Sequence, residues 1–335
     1  MLPINTLKHV VLLALITLTA CNFTSGKSNK SNKRSSKTII ETPIFNGDSA
    51  YSFVQKQVDF GPRVPNTEAH AKCANYLSGK LREFGAEVIV QEAEVVAFDN
   101  TLLHAKNIIG QYKPELKDRI LLFAHWDTRP FADHSEDESR RNEPIPGAND
   151  GGSGVGALLE IARQINNNKL DFGIDIIFFD AEDYGTPDHI VTQNYQPDTW
   201  CLGSQYWGKN PHVKNYYARY GILLDMVGAK NASFHQELNS KYFAPRILKK
   251  VWKTAHRIGY GNYFPFKDGG AITDDHVYVN KYLNIPCINI IHYDPNTDTS
   301  FGSFWHTHND NMDIIDRNTL KAVGQTVLEF IYSGQ

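Results

Sequence analysis

This chain has almost no charge imbalance. Lysine and arginine together number 34, aspartate and glutamate 37, so the formal net charge over 335 residues is −3. So small a surplus gives no electrostatic pull toward nucleic acid. Cysteine is scarce, with four residues and no Cys-x-x-Cys pair. At most one bridge is available among Cys73, Cys201 and Cys287, and spacing alone does not assign it. Cys287 sits in Ile285-Pro286-Cys287-Ile288-Asn289-Ile290, the setting of a core thiol. Internal repeats are absent, so the chain is not a solenoid or an array. No apolar run reaches membrane-spanning length either; Val10 to Leu18, after Lys8 and His9, is too short for a stable span. What remains is 41% hydrophobic residues, enough for one large α/β domain, with 24 Gly and 15 Pro for a loop-rich surface.

The front end reads as a targeting segment. Leu18-Thr19-Ala20-Cys21 follows the apolar run and resembles a bacterial lipobox, whose cysteine is lipidated and becomes the mature N-terminus. The expectation is a lipoprotein signal peptide over 1–20 and export, with Cys21 lipid-anchored to a bacterial membrane on its periplasmic or cell-surface side. An ordinary signal peptide cut nearby is the plainer alternative. Residues 21–45, rich in Ser, Lys and Asn, bury nothing and read as a flexible tether. A folded domain is expected over 46–335.

Within that domain, polar residues recur where strands should stop. Gly173 to Phe179 is a short apolar run of the kind found in buried parallel strands. It ends in Asp180-Ala181-Glu182-Asp183, a crowding of like charge that is costly unless a cation shares the place. Arg119 to Phe123 ends in Ala124-His125-Trp126-Asp127, and Tyr220 to Leu224 ends in Asp225. Asp150 stands in Gly147-Ala148-Asn149-Asp150-Gly151-Gly152 before a helical pattern. The glycines lack the Lys of a phosphate loop and suit an Asp packed tightly on a sheet. Strands are also expected at 88–90, 107–110 and 286–291. Helices are expected at 48–58, 66–84, 203–207, 243–258 and 318–332, and the stretch 185–200 has no periodicity. A mixed His and carboxylate set at strand ends points to zinc, and ligands of open α/β sheets bind there.

The order His125-x-Asp127, Asp150-Gly151, Glu182-Asp183, Asp225 and His306 resembles the zinc aminopeptidase-like fold of the M28 class. That implies a single three-layer α/β/α domain around a mixed, mostly parallel sheet. Phe60-Gly61-Pro62-Arg63-Val64-Pro65, Asp274-Asp275-His276 and Trp305-His306-Thr307 are closer to the glutaminyl-peptide cyclotransferases, the animal type as found in some bacteria. The likeness runs over about residues 48–334. It implies one Zn2+ held by Asp150, Asp183 and His306, with Glu182 as general acid/base. Asp225 and Asp274 would form a hydrogen-bonded acidic pair, and Trp305 a wall of the substrate pocket. It implies a reaction at N-terminal Gln of peptides and proteins; the oligomeric state is left open, with a monomer as the default expectation. There are departures. Asp183 stands where the animal enzymes have Glu, and Ala124 where they carry a disulfide Cys. The insertion after Asp183 displaces their other pocket Trp, for which Trp200 is the candidate.

Two other readings stay open at this level. His125, Asp150, Asp183, Asp225 and His306 fill all five positions that bind two zinc ions in M28 aminopeptidases, with His125 and Asp225 completing the second site. In the other reading the chain is an inactive, tethered peptide-binding protein, against which the intact Glu182 argues.

Overall fold

The computed structural model describes residues 41–168, 170–187, 190 and 198–333. The leader at 1–20, Cys21 and most of the 21–45 tether lie outside the described residues, as does much of the stretch 185–200. Among the described residues no helix is long and apolar enough to cross a membrane.

Among the described residues six strands form one sheet: β1 (Glu87–Val96), β2 (Leu102–Tyr112), β3 (Arg119–His125), β4 (Gly173–Phe179), β5 (Gly221–Asp225) and β6 (Cys287–Ile291). Their order is β1-β2-β4-β3-β5-β6. The β4–β3, β3–β5 and β5–β6 pairings are parallel, and the two on the β1 side are antiparallel. Every residue of β3, β4, β5 and β6 is buried. Parallel strands covered on both faces have this pattern, which explains their unbroken apolar sequences.

Among the described residues eight helices flank the sheet: α1 (Gly47–Val58), α2 (Glu68–Glu83), α3 (Gly152–Asn167), α4 (Leu202–Lys209), α5 (Leu238–Phe243), α6 (Pro245–Arg257), α7 (Asp275–Leu283) and α8 (Arg317–Tyr332). Alternate side chains of each strand enter opposite cores, as the two-residue period of a strand requires. Leu122, Ile176, Ile222 and Ile290 pack with Val54 of α1, Leu77 of α2, Leu158 of α3, Trp252 of α6 and Val323 of α8. Leu121, Phe123, Ile177 and Leu223 pack with Trp207 of α4 and Val279 of α7. The result is the three-layer α/β/α architecture with a mixed sheet.

Two points depart from expectation. The helix expected over 243–258 is present as α6, but a further short helix, α5, stands immediately before it where none was expected. Pro245 has no N–H to donate and disfavours helical backbone in the residue before it, and Ala244 accordingly sits at φ −137°, ψ 49°. The edge strands are longer than the apolar clusters 88–90 and 107–110 suggest. β1 and β2 pair from Glu87 with Gln111 to Val96 with Leu102, whereas β2 meets β4 only over 108–112. The rest of that hairpin runs past β4 and mixes polar with apolar residues, with Leu103 and Ala105 buried in a small cluster of their own, so its hydrophobic signal is weak.

Candidate active site

The carboxyl ends of β3, β4 and β5 lie side by side in the parallel part of the sheet. His125 is the last residue of β3 and Asp225 the last of β5, while Glu182 and Asp183 follow β4 by three and four positions. Asp150 arrives from the turn before α3, and His306 from the loop before α8. The pieces come from most of the folded length, and the topology alone brings them together.

They meet in two groups. Asp150, Asp183 and His306 each offer a ligand atom, and these atoms all lie within 4.8 Å of one another. His306 Nε2 is 3.3 Å from Asp183 Oδ1 and 3.7 Å from Asp150 Oδ2. His125, Asp150 and Asp225 form the second group. There His125 Nε2 is 3.0 Å from Asp150 Oδ1 and 3.2 Å from Asp225 Oδ1. Asp150 therefore turns one oxygen to each group. All five side chains are buried. Asp183 Oδ2 is buried with no hydrogen-bond partner, an arrangement that is expensive for a carboxylate unless a cation satisfies it. The donor set, imidazole with carboxylates, fits zinc.

Supporting residues hold these ligands in place. Asp127 accepts the backbone N–H groups of both Glu182 and Asp183, each at 3.1 Å. Its carboxylate is 3.5 Å from His125 Nδ1, so it grips the β4 tip more closely than it orients that imidazole. Asp310 accepts the N–H groups of Asn149 (2.7 Å) and Asp150 (2.9 Å). Arg63 is fully buried and donates to the carbonyls of Trp126, Pro146 and Gly147. Arg129 grips Asp133 with two hydrogen bonds. Asp133 in turn stands 3.3 Å from His306 Nδ1, the placement of a carboxylate that orients a ligating imidazole. Sequence reasoning missed Asp310, Asp133 and Arg129, and gave Arg63 no role. The usable signal was Arg63 inside a Gly-Pro-Arg-x-Pro turn.

Asp180 is the member of the acidic tip that leaves the site. Its carboxylate binds His70 Nε2 at 2.7 Å and the Lys106 N–H at 2.6 Å, tying α2 and β2 to the end of β4. The chain turns sharply just after it, with Ala181 at φ 51°. Met226 (φ 47°) and His306 (φ 53°) also occupy left-handed backbone beside the ligands. Such conformations are costly for L residues and collect at functional sites. The small residues around Asp150 have a steric reason. A Cβ on Gly154 would fall 2.0 Å from the Leu224 carbonyl oxygen, and one on Gly151 would press on Asp127 and the His125 ring.

Glu182 belongs to neither ligand group of Asp150. It lies with Asp274, the N-cap of α7, and with Cys201. Burial pushes the Glu182 carboxyl well above its usual range, and the charges of Asp274 and Asp183 push the same way. Asp274 is raised to about 7, first by burial and then by Asp225, and it accepts a 2.6 Å hydrogen bond from Asn289. Asp225 is raised to about 6, chiefly by burial. This is a cluster of carboxyl groups placed to hold and release protons near neutrality.

Glu182, Asp225, Asp274 and the ligand group Asp150, Asp183 and His306 line one cavity of about 330 Å³, walled by Trp200, Phe301 and Trp305. Trp305 stacks on His306 with ring centroids 3.6 Å apart. Trp200 lies near-parallel to the His306 ring at 6.0 Å and under the Arg129 guanidinium at 4.6 Å. A larger groove of about 830 Å³ lies by Phe45, Tyr51 and Arg317, away from every cluster of metal-type ligands among the described residues. The three cysteines in the described part are free and buried.

An α/β/α sandwich whose parallel strands end in shared imidazole and carboxylate ligands defines the zinc exopeptidase-like class of enzymes. The chain belongs to peptidase family M28, whose pattern matches residues 107–331. It is similar to a Zn-dependent exopeptidase from Parabacteroides distasonis, at 59% identity and TM-score 0.86 over 88% of this chain and all of that one. It is equally similar to the glutaminyl cyclase of Bacteroides thetaiotaomicron bound to N-acetylhistamine, at 59% identity and TM-score 0.86 with the same coverage. Aminopeptidase YwaD of Bacillus subtilis is 28% identical over 286 residues, 81% of this chain. The chain spans only 54% of the length of that relative.

Proposed function

We propose that this chain is a zinc-dependent glutaminyl-peptide cyclotransferase, which converts N-terminal Gln of peptides and proteins to pyroglutamate and releases ammonia. The observation that carries this reading is Glu182, held apart from the two groups that share Asp150 and grouped with Asp274 in a cavity also lined by Trp305. Similarity at 59% identity to a glutaminyl cyclase supports it.

Asp150, Asp183 and His306 would hold one zinc ion. When bound, it supplies Lewis acidity toward the γ-carboxamide carbonyl of the substrate. Glu182 takes a proton from the α-amine as that nitrogen bonds to Cδ. It then hands the proton to the departing amide nitrogen as the Cδ–N bond breaks, so ammonia leaves and no net proton is consumed. A carboxyl group with a raised pKa can serve both halves of this exchange. Asp274, raised to about 7 by burial and by the charge of Asp225, carries a proton and donates a hydrogen bond where negative charge develops. Trp305 and Trp200 enclose the small apolar part of the substrate. The work of the protein is to fold the Gln side chain back on its own amine and keep water away.

A second reading has a specific observation behind it. His125, Asp150 and Asp225 form a second ligand group sharing Asp150, the requirement for two zinc ions and an aminopeptidase in which Glu182 serves a water nucleophile. A peptide beginning with Gln separates the two. Loss of ammonia with an otherwise intact chain, read by mass, is the expected result. Loss of the first residue with no cyclised product overturns the proposal.

The mature chain is proposed to be exported, monomeric and held to a bacterial membrane through lipidated Cys21, acting on peptide N-termini outside the cytoplasm. Fatty-acid labelling in a bacterial host checks the anchor: label is expected on the wild type and absent from Cys21→Ala. Equal labelling of both rules the anchor out.

A further inference from the structure

Cys201 plays no part in the reaction above, yet its sulfur lies 3.0 Å from Glu182 Oε1. The side chain is fully buried. Two backbone hydrogen bonds fix the meeting: the Cys201 N–H donates to the Glu182 carbonyl and the Leu202 N–H to the Ala181 carbonyl, each at 2.9 Å. The segment entering α4 is thereby paired with the turn after β4, and the two side chains emerge facing each other. Both sides of this pairing use left-handed backbone, Ala181 at φ 51° and Cys201 at φ 58°. Neither is glycine, so the geometry is kept at a steric cost.

The direction of the bond follows from its surroundings. Burial pushes the thiol well above its usual range, and the negative charges of Glu182, Asp275 and Asp274 push it further. The sulfur therefore keeps its proton, and a protonated thiol beside a carboxyl oxygen is a donor. With Oε1 engaged, Oε2 is the oxygen left for proton transfer.

We propose that Cys201 is a positioning residue: its thiol donates to Glu182 Oε1 and holds the carboxyl group so that Oε2 faces the substrate. This rests on Glu182 being the acid/base of the cyclase reaction proposed above.

The test uses the full zinc-loaded chain with a Gln-initiated peptide. Cys201→Ala is expected to lower kcat roughly tenfold with KM within about twofold of wild type, the pattern of a group that matters only during the chemical step. Cys201→Ser, which retains a donor, is expected to regain most of that loss. Wild-type kcat in Cys201→Ala, or equal impairment of both variants, overturns the proposal. A second measurement needs no turnover and covers a Cys201→Ala chain that does not fold. The infrared S–H band of Cys201, isolated by subtracting the Cys201→Ser spectrum, is expected below the frequency of a thiol that donates no hydrogen bond and is expected to move in Glu182→Gln. A band that does not respond to Glu182→Gln overturns the hydrogen bond itself. If the wild type cyclises nothing, the cyclase reading fails separately, and the infrared band still decides the contact.

Discussion

Burial raises the proton affinity of Glu182 well above that of an ordinary carboxylate, and the neighbouring acids Asp274 and Asp183 raise it further. Glu182→Gln keeps the shape and removes the exchangeable proton. Cyclisation is expected to fall by roughly a hundred- to ten-thousandfold, while zinc content measured by atomic absorption stays at the wild-type level. Unchanged turnover would remove Glu182 from the chemistry. His306→Ala is expected to lose bound zinc, because it removes one ligand and the imidazole that Asp133 orients. Full metal content in that variant would discard the ligand set. At this scale His125, Glu182, Asp183 and Asp225 were legible because they end or closely follow apolar strands, whereas Asp150, Asp274 and His306 come from turns and loops and took their roles from the resemblance. The supporting residues were not legible. Asp310 acts through backbone N–H groups 160 and 161 residues away, and nothing near it in the sequence marks that role.

At the scale of elements, α5 and α7 are coupled to the site by a carboxylate outside it. Glu237 caps α5 through the N–H groups of Asn239 and Ser240, holds the Ile272 N–H in the pocket loop, and meets His276 Nε2 of α7 at 3.1 Å. Burial works against its charge, but His276 and these donors outweigh burial and lower its pKa from 4.5 to about 2. The folded state therefore binds the proton less readily than the unfolded chain. The stabilisation is fully present above pH 4.5 and is lost as pH falls toward 2. A shift of that size corresponds to about 3 kcal/mol. Glu237→Gln is expected to melt well below wild type at pH 7, with the gap closing as the pH is lowered through 4. A gap independent of pH would contradict this. The elements themselves were legible wherever both faces are buried, as in β3 and β4. They were misjudged where packing is one-sided or absent, in the outer half of the β1–β2 hairpin, and the short helix α5 ahead of Pro245 was missed.

Over the whole molecule, ligands drawn from Asp150 to His306 join the ends of three strands to the loops before α3 and α8. A cation bound only by the folded arrangement stabilises the entire domain by mass action, about 2.7 kcal/mol when free metal is a hundredfold above Kd. Stripping zinc with a chelator is expected to lower the thermal midpoint by several degrees, and added zinc to restore it. A midpoint indifferent to chelation would mean that the ligands are not joined through metal. The three-layer architecture was legible from the sequence because the order of motifs along the chain resembles that of the M28 class. The sharing of Asp150 between two groups was not, since spacing along a chain carries no information about which oxygen faces which neighbour.

The left-handed residues Ala181, Cys201, Met226 and His306 have one more consequence. Each is confined to a corner of backbone space that valine and isoleucine enter only at high cost. A library randomised at Ala181 and Met226 and selected for folding alone should return glycine and asparagine and reject branched side chains. Retention of anything else there under selection for turnover would then report on chemistry and not on shape.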